Sequence, residues 1–162
     1  MSTLEVKAIQ APSGYDLDMP AGAILQVENY VLPTNNVTTT SQTYVDTGLA
    51  DSITPTSTSS KILVTLSGGG QYVGNSASVS QYVTIYRDST NLGDSNYGLS
   101  RFATAGGSWN IAPHSCSVLD SPSSTSSVRY QPYFKRTGSS ATAYFSHTDR
   151  GKITLTLMEV AG

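Results

Sequence analysis

The sequence contains few charged side chains. Lys and Arg together number 9 and Asp and Glu number 11, so 12% of the 162 residues are charged, against about 25% in typical globular domains. Because cations are so few and the net charge is −2, the composition predicts no basic surface for nucleic acid or for an anionic membrane. We therefore expect no nucleic-acid partner and no membrane insertion.

Cysteine and long apolar runs are equally scarce. Cys116 is the one cysteine, which excludes an internal disulfide and a zinc site built from several thiolates. No stretch reaches the roughly 18 apolar residues of a transmembrane helix. The opening residues, MSTLEVKAIQ, lack the apolar run of a signal peptide. We expect a protein made in a cytoplasm without an export signal of its own.

Hydroxyl side chains take the place of the missing charges, since 25 Ser and 20 Thr make up 28% of the 162 residues. Helical periodicity is nearly absent, and alternation of apolar and polar residues with a period of two recurs along the chain. The alternation predicts strands at 23–31, 37–46, 61–67, 77–88, 100–105, 108–112, 114–120, 127–137, 141–147 and 152–160.

This pattern predicts one all-β domain, an antiparallel β-sandwich of the jelly-roll or tumour-necrosis-factor-like kind, over residues 23–162. Pro132 lacks a backbone donor, so its strand is expected at a sheet edge or at a bulge. The run Gly68–Gly70 follows a strand without the Lys of a phosphate loop, which favours a bulge or a strand end.

Residues 1–22 differ from the rest, because they carry too little apolar surface to form a core alone. We expect an extended segment that lies against a neighbouring subunit or a larger assembly. Its apolar residues Leu4, Val6 and Ile9 are the predicted contacts for attachment to such an assembly.

Catalytic and metal-binding patterns find little support. His114 and His147 have no partner at a metal-ligand spacing, and no Gly-x-Ser-x-Gly motif is present. Pairs such as Asp46 with Asp51 or Asp88 with Asp94 would suit glycosidase chemistry only if they faced one groove. Aspartate is also a common turn residue, and these four stand in turn contexts. We expect no enzyme, no cofactor and no metal.

The segment 94–114 (DSNYGLSRFATAGGSWNIAPH) combines aromatic and cationic side chains with several glycines. Rigid aromatic rings on a loop are typical of a recognition surface. Tyr97, Arg101, Trp109 and His114 are therefore the predicted contacts for a host surface glycan or receptor. The alternative is an ordinary hairpin with a buried Trp, because a lone Trp is more often a core residue than a platform for a ligand.

Four strings in order resemble a family of phage virion proteins, the tail-fibre or appendage modules of phages of aquatic bacteria. They lie at 51–68 (DSITPTSTSSKILVTLSG), 82–94 (YVTIYRDSTNLGD), 117–135 (SVLDSPSSTSSVRYQPYFK) and 152–162 (KITLTLMEVAG). The resemblance covers about residues 23–162 and implies a homotrimeric β head displayed on a virion. It implies no catalytic residues, because the shared strings correspond to strands and turns.

Three functions follow as hypotheses. The first is a trimeric tail-fibre or tail-tip module that contacts host surface glycans, with other phage virion proteins as partners. The second is a capsid decoration trimer that stabilises the phage head and is held through residues 1–22. The third is a polysaccharide depolymerase, which requires two carboxylates across one groove.

Overall fold

The computed structural model describes residues 19–33, 35–73, 79–104, 111–138 and 141–162. These residues form strands and loops with no helix, so none of them belongs to a helix long and apolar enough to span a membrane. Their strands are β1 (Ile24–Leu32), β2 (Val37–Thr39), β3 (Val45–Asp46), β4 (Asp51–Ile53), β5 (Lys61–Val73), β6 (Val79–Arg87), β7 (Thr90–Asn91), β8 (Ser100–Thr104), β9 (Ile111–Asp120), β10 (Val128–Thr137), β11 (Ala143–Ser146) and β12 (Ile153–Val160).

The strands build two antiparallel sheets in a jelly-roll arrangement. In sheet A, β5 pairs with β9 on one side and with β11 and β12 on the other, where β2 and β1 follow. In sheet B, β10 pairs with β6, with β3 and β4 on the far side of β10 and β7 and β8 on the far side of β6. If each interrupted pair is counted as one strand, the sheet orders are 1-8-3-6 and 2-7-4-5. This is the eight-stranded double Greek key of a jelly roll, so the predicted fold class is confirmed.

The core lies between the sheets and is built from alternate residues of the long strands. Along β12 every second side chain is buried and the ones between are half-buried, as a period of two requires. The inward residues of β5 alternate in the same way up to Leu66. The buried apolar side chains of β12 and of this first half of β5 are Ile62, Val64, Leu66, Ile153, Leu155 and Leu157.

The three consecutive glycines form a bulge inside β5 instead of ending it. The register of β5 against β9 shifts between Gly68 and Gln71, and the strand continues to Val73. Gly69 has φ of +59°, and a Cβ placed there would collide with the Ile153 side chain. The bulge predicted from the sequence is confirmed, and glycine is required because this backbone conformation strains other residues.

We expect Gly69→Ala to lower the free energy of unfolding by about 2 kcal/mol. Two effects contribute: alanine is strained in a left-handed backbone conformation, and its Cβ displaces the Ile153 side chain. Urea unfolding followed by tryptophan fluorescence measures this change. Gly48 has φ of +75° with open space around it, so Gly48→Ala is the control for backbone strain alone. Equal losses for the two variants would show that the contact with Ile153 contributes nothing.

The prediction that Pro132 lies at an edge or bulge is wrong. Strand β10 is central in sheet B, and Pro132 stands in regular register opposite Ile85 of β6. The Pro132 carbonyl points away from β6 and accepts hydrogen bonds from Thr47 N and Thr47 Oγ1, at 3.3 and 2.8 Å. The missing N–H faces the gap between β3 and β4, where the ladder is interrupted, so no sheet hydrogen bond is lost.

Strand β1 forms one edge of sheet A, and most of its side chains are exposed on both faces. The predicted alternation put Val27 and Val31 on one side and Glu28 and Tyr30 on the other, and all four are exposed. The reason is that β1 lies at the edge of its sheet, where it pairs with β12 alone among the described residues. The predicted strand over 37–46 is also divided, into β2 and β3.

Candidate functional site

Aromatic and cationic side chains meet on the outer face of sheet B. Tyr82 on β6 stands in register with Arg101 on β8 and with Lys135 on β10. Antiparallel pairing therefore places one ring between two cations on three adjacent strands. Together with Tyr44 and Tyr97, these side chains are called the tyrosine–cation cluster below.

The cations of the cluster lie at cation–π distance from its rings. Arg101 Cζ is 5.8 Å from the centroid of the Tyr82 ring, and Lys135 Nζ is 5.9 Å from the same centroid. Lys135 Nζ also lies 4.4 Å from the centroid of the Tyr44 ring. A cation within about 6 Å of a ring is attracted by the negative face of the π system. The cluster thus combines positive charge with aromatic surface.

Neither cation is neutralised by a carboxylate within the described part of the chain. Arg101 is exposed and donates from Nε and Nη2 to Ser80 Oγ at 3.1 and 3.0 Å. Lys135 is buried for nine-tenths of its surface. Buried charges in proteins are usually paired, so a lysine held between ring faces is an unusual feature, and this surface is the candidate site.

Tyr97 is the most exposed member of the cluster, with 64% of its surface accessible. Its ring lies 5.8 Å from that of Tyr82. The turn that carries it is fixed by Asp94, whose Oδ1 accepts hydrogen bonds from the backbone N–H groups of Asn96 and Tyr97 at 2.8 and 2.7 Å. An exposed ring on a hydrogen-bonded turn is held ready for a partner.

Tyr44 closes the cluster on its other side. Burial raises the pKa of Tyr44 to about 12, with smaller contributions from Tyr86, Asp94 and Tyr82. Its hydroxyl is buried and finds no hydrogen-bond partner among the described residues. The aromatic surface continues from Tyr44 to Tyr86, at 6.5 Å between centroids, and from Tyr86 to Tyr133, at 4.2 Å.

A second aromatic group, near the far end of β5, offers a comparison. Tyr72 and Tyr144 stack at 4.0 Å between centroids, and Arg150 Cζ lies 5.7 Å from the Tyr72 ring. Here the cation is paired, because Arg150 Nε lies 3.2 Å from Asp149 Oδ1. His147 Nδ1 also contacts this carboxylate. The two groups share a similar arginine–tyrosine geometry and differ in the charge left for a ligand.

The predicted recognition residues are separated by the structure. Tyr97 and Arg101 lie together in the tyrosine–cation cluster, on two sides of Tyr82. Trp109 lies outside the described residues, as do Leu4, Val6 and Ile9. No sequence signal groups Tyr44, Tyr82 and Lys135 with the two predicted residues of the cluster, because only the fold brings these side chains to one surface.

The prediction of His114 as a glycan contact is corrected by its burial. Its side chain points into the sandwich and is 2% exposed. Nε2 donates to the Phe145 carbonyl at 2.7 Å, and the two rings lie 4.3 Å apart. An imidazole enclosed in this way has no access to a ligand at the surface, so its role is in the core.

The aspartates considered for catalysis accept hydrogen bonds from backbone N–H groups. Asp46 Oδ1 accepts from Gly48 N at 2.9 Å, and Asp51 Oδ1 accepts from Ser52 N at 2.8 Å. Asp88 Oδ1 accepts from Arg129 N at 3.3 Å. Within the described ranges, no three His, Cys, Asp or Glu side chains are grouped to hold a metal ion. The Asp46 carboxylate has the role that aspartate commonly has in turns, and the Asp88 carboxylate links its own segment to β10.

The outer face of sheet A carries a row of apolar side chains across four strands. Val27 on β1 faces Met158 on β12, Met158 faces Leu63 on β5, and Leu63 faces Leu119 on β9. Val27 and Leu119, at the two ends of this apolar row, are each 53% exposed. The next row consists of the uncharged residues Asn29, Thr156, Thr65 and Ser117.

Comparison with known proteins identifies no family. No family model matches the chain, and no curated protein matches it. Among solved structures, "Structure of infectious bursal disease virus Gx strain" has 13% identity and a TM-score of 0.34, covering 97% of this chain and 43% of that one. "Crystal structure of infectious bursal disease virus VP2 subviral particle" has 12% identity and a TM-score of 0.37, covering 96% and 42%. The chain spans under half the length of these structures, and at such low scores they decide nothing about its function.

Proposed function

We propose that this chain is a non-enzymatic structural protein of a bacteriophage virion, a homotrimeric tail-fibre or tail-tip module that contacts glycans on the host surface. The sequence resemblance over about residues 23–162 supports the phage assignment. The observation that carries the proposal is the exposed apolar row of sheet A, because it gives a jelly-roll subunit a surface for identical copies.

The apolar row suits contact between copies because the row on one side of it, from Asn29 to Ser117, is uncharged. Hydroxyl and amide side chains of the neighbouring row hydrogen-bond readily and avoid the large cost of burying unpaired ions. Lys61, opposite Val160 in the register of β5 and β12, stands at the margin of this face. Half-exposed Val and Leu side chains would gain about 1 kcal/mol each on burial. The face therefore favours association through side chains.

The strand edges of sheet A favour a closed assembly. Among the described residues, β1 pairs only with β12 and β9 only with β5, so within that part of the chain two long strands have unpaired backbone groups on one side. Exposed edges invite uncontrolled pairing unless they are covered. Closed cyclic symmetry covers such surfaces with a defined number of copies, and the trimer of the proposal is one such arrangement.

We expect Leu119→Asp to convert the trimer into folded monomers, because the substitution places a charge in the apolar row. Leu119 is half-exposed in the single chain, so the unfolding temperature of the subunit should change little. Analytical ultracentrifugation at micromolar concentration measures the mass. Ile111→Asp, an exposed apolar position at the other end of the same strand, is the matched control. A monomeric wild-type protein, or an unchanged mass for Leu119→Asp, would refute the role of the apolar row.

The position on the particle is tested by imaging. Gold-labelled antibody against this chain should mark the tail tip of intact virions if the protein is a tail module. Label distributed over the capsid would support the competing hypothesis of a decoration trimer, and a variant lacking residues 1–22 should then fail to attach. Absence from purified particles would refute a virion protein of either kind.

The absence of catalysis is tested on host polysaccharide. Incubation with the purified protein should release no reducing ends, since each of the four aspartates considered for catalysis accepts a hydrogen bond from a backbone N–H group. Release of oligosaccharides would replace the proposed binding function with that of a depolymerase.

A further inference from the structure

We propose that the tyrosine–cation cluster binds an acidic carbohydrate, a polysaccharide whose repeating unit carries a carboxylate. This inference rests on the proposed function, which assigns the chain to the host surface, and it names the class of glycan. Its basis is the pair of cations at Tyr82, for which the described chain provides no carboxylate partner.

The charge of the cluster selects an anion. Arg101 donates hydrogen bonds from Nε and one terminal nitrogen to Ser80 Oγ. The remaining N–H groups of its exposed guanidinium are available to a ligand. Guanidinium groups bind carboxylates through charge-assisted hydrogen bonds, which are about twice as strong as neutral ones. Lys135 adds a second positive charge on the other side of Tyr82.

The rings of the cluster suit a sugar. Tyr97 exposes most of its surface and is tilted by 48° against Tyr82. A tyrosine offers an apolar face for the C–H groups of a pyranose and a hydroxyl for hydrogen bonds. Tyr86 and Tyr133 extend the aromatic surface past Tyr44. The surface is therefore long enough for more than one sugar unit to contact the rings.

The nearest acidic group does not cancel this charge. Asp94 lies close enough to Tyr44 to raise the pKa of its hydroxyl, after the larger effect of burial. Its Oδ1 is occupied by two backbone N–H groups of the turn that carries Tyr97. Asp94 therefore holds the turn in place, and neither Arg101 nor Lys135 is paired with it.

The test is calorimetric titration of the wild-type protein with four polymers: alginate and polygalacturonate, which carry uronate carboxylates, uncharged dextran, and dextran sulfate. We expect binding to at least one uronate polymer and none to dextran. Arg101→Gln and Tyr97→Ala should each raise Kd about tenfold or more, because one removes the charged donors and the other the exposed ring. Arg150→Gln, which alters an arginine–tyrosine contact already paired with Asp149, should leave Kd unchanged.

Each other outcome overturns the inference. Binding to dextran as tight as to the uronate polymers would show a neutral glycan site. Binding to dextran sulfate alone, insensitive to Tyr97→Ala, would show a polyanion surface without sugar recognition. Failure with every carboxylated polymer, in a protein that labels virions and sediments as a trimer, would refute the acidic ligand and leave the proposed structural function intact.

Discussion

Asp120→Ala is expected to lower the free energy of unfolding by about 3 kcal/mol, because Asp120 joins the two sheets at one end of the sandwich. It lies on β9 of sheet A, and its carboxylate accepts a hydrogen bond of 2.7 Å from the hydroxyl of Tyr130 on sheet B. Arg87, also on sheet B, donates Nη1 to both carboxylate oxygens at 2.9 and 3.0 Å. Removing one partner of such a group leaves the others buried without compensation.

The size of this effect follows from the burial of the two donors. Tyr130 is fully buried, and burial together with the hydrogen bond to Asp120 raises the pKa of its hydroxyl. Its O–H would therefore lose its acceptor with no water to replace it. Arg87 keeps 25% of its side chain exposed, so solvent compensates part of its loss and the total stays below the upper range for buried pairs.

Two variants separate the contributions of Asp120. Tyr130→Phe removes one hydrogen bond and its donor together, so we expect a loss of about 1 kcal/mol. Asp51→Ala removes a carboxylate that caps one backbone N–H beside it and serves as the matched control, with a loss of about 1 kcal/mol or less. Urea unfolding measures all three, and a loss for Asp120→Ala no greater than for Asp51→Ala would contradict the linking role.

The sheet structure was predictable where the chain alternates apolar with polar residues. Strands β5 and β12 follow a strict period of two with β-branched and leucine side chains, and a jelly roll buries one face of each. The alternation of β1 is similar, yet most of its side chains are exposed because it lies at the edge of its sheet. On β6, Tyr82 and Thr84 point outward as predicted and are buried nevertheless, since other segments cover that face.

The candidate site was predictable only in part. Tyr97 and Arg101 were identified because they are local to one glycine-containing segment. Lys135 lies 34 residues after Arg101 in the sequence, and only the register of β10 against β6 and of β6 against β8 brings them to the same ring. Asp120 was missed for the same reason, since Tyr130 and Arg87 reach it from the opposite sheet.

His114 gives the fold a sensitivity to acid that the sequence did not indicate. A carbonyl oxygen only accepts hydrogen bonds, so Nε2 carries the proton shared with Phe145. Nδ1 is buried with no partner among the described residues, and a second proton there would place an uncompensated charge in the core. Burial lowers the pKa of His114 from 6.5 to about 4, against the smaller raising effect of the hydrogen bond.

We expect the free energy of unfolding to fall by about 2 kcal/mol between pH 7.5 and pH 5, and by about 3 kcal/mol in total below pH 4. The folded chain binds the His114 proton more weakly than the unfolded chain, so this stability is complete above about pH 6.5 and is lost as the pH falls toward 4. Burial alone would raise the pKa of Glu159. Hydrogen bonds from Ser60, Gln26 and Thr56 outweigh this effect, so the pKa of Glu159 is lowered. Its contribution is lost only below about pH 4.5 and does not enter the upper part of this window.

Urea unfolding at pH 7.5, 6.5, 5.5 and 5 measures the dependence in wild type, in His114→Gln and in the control His147→Gln. Glutamine retains a donor for the Phe145 carbonyl and cannot take up a proton, so His114→Gln should abolish most of the slope even if it lowers stability at every pH. His147 is half-buried beside Asp149, so His147→Gln measures the part of the slope that comes from the second imidazole. Identical slopes for wild type and His114→Gln would show that the acid sensitivity comes from other groups.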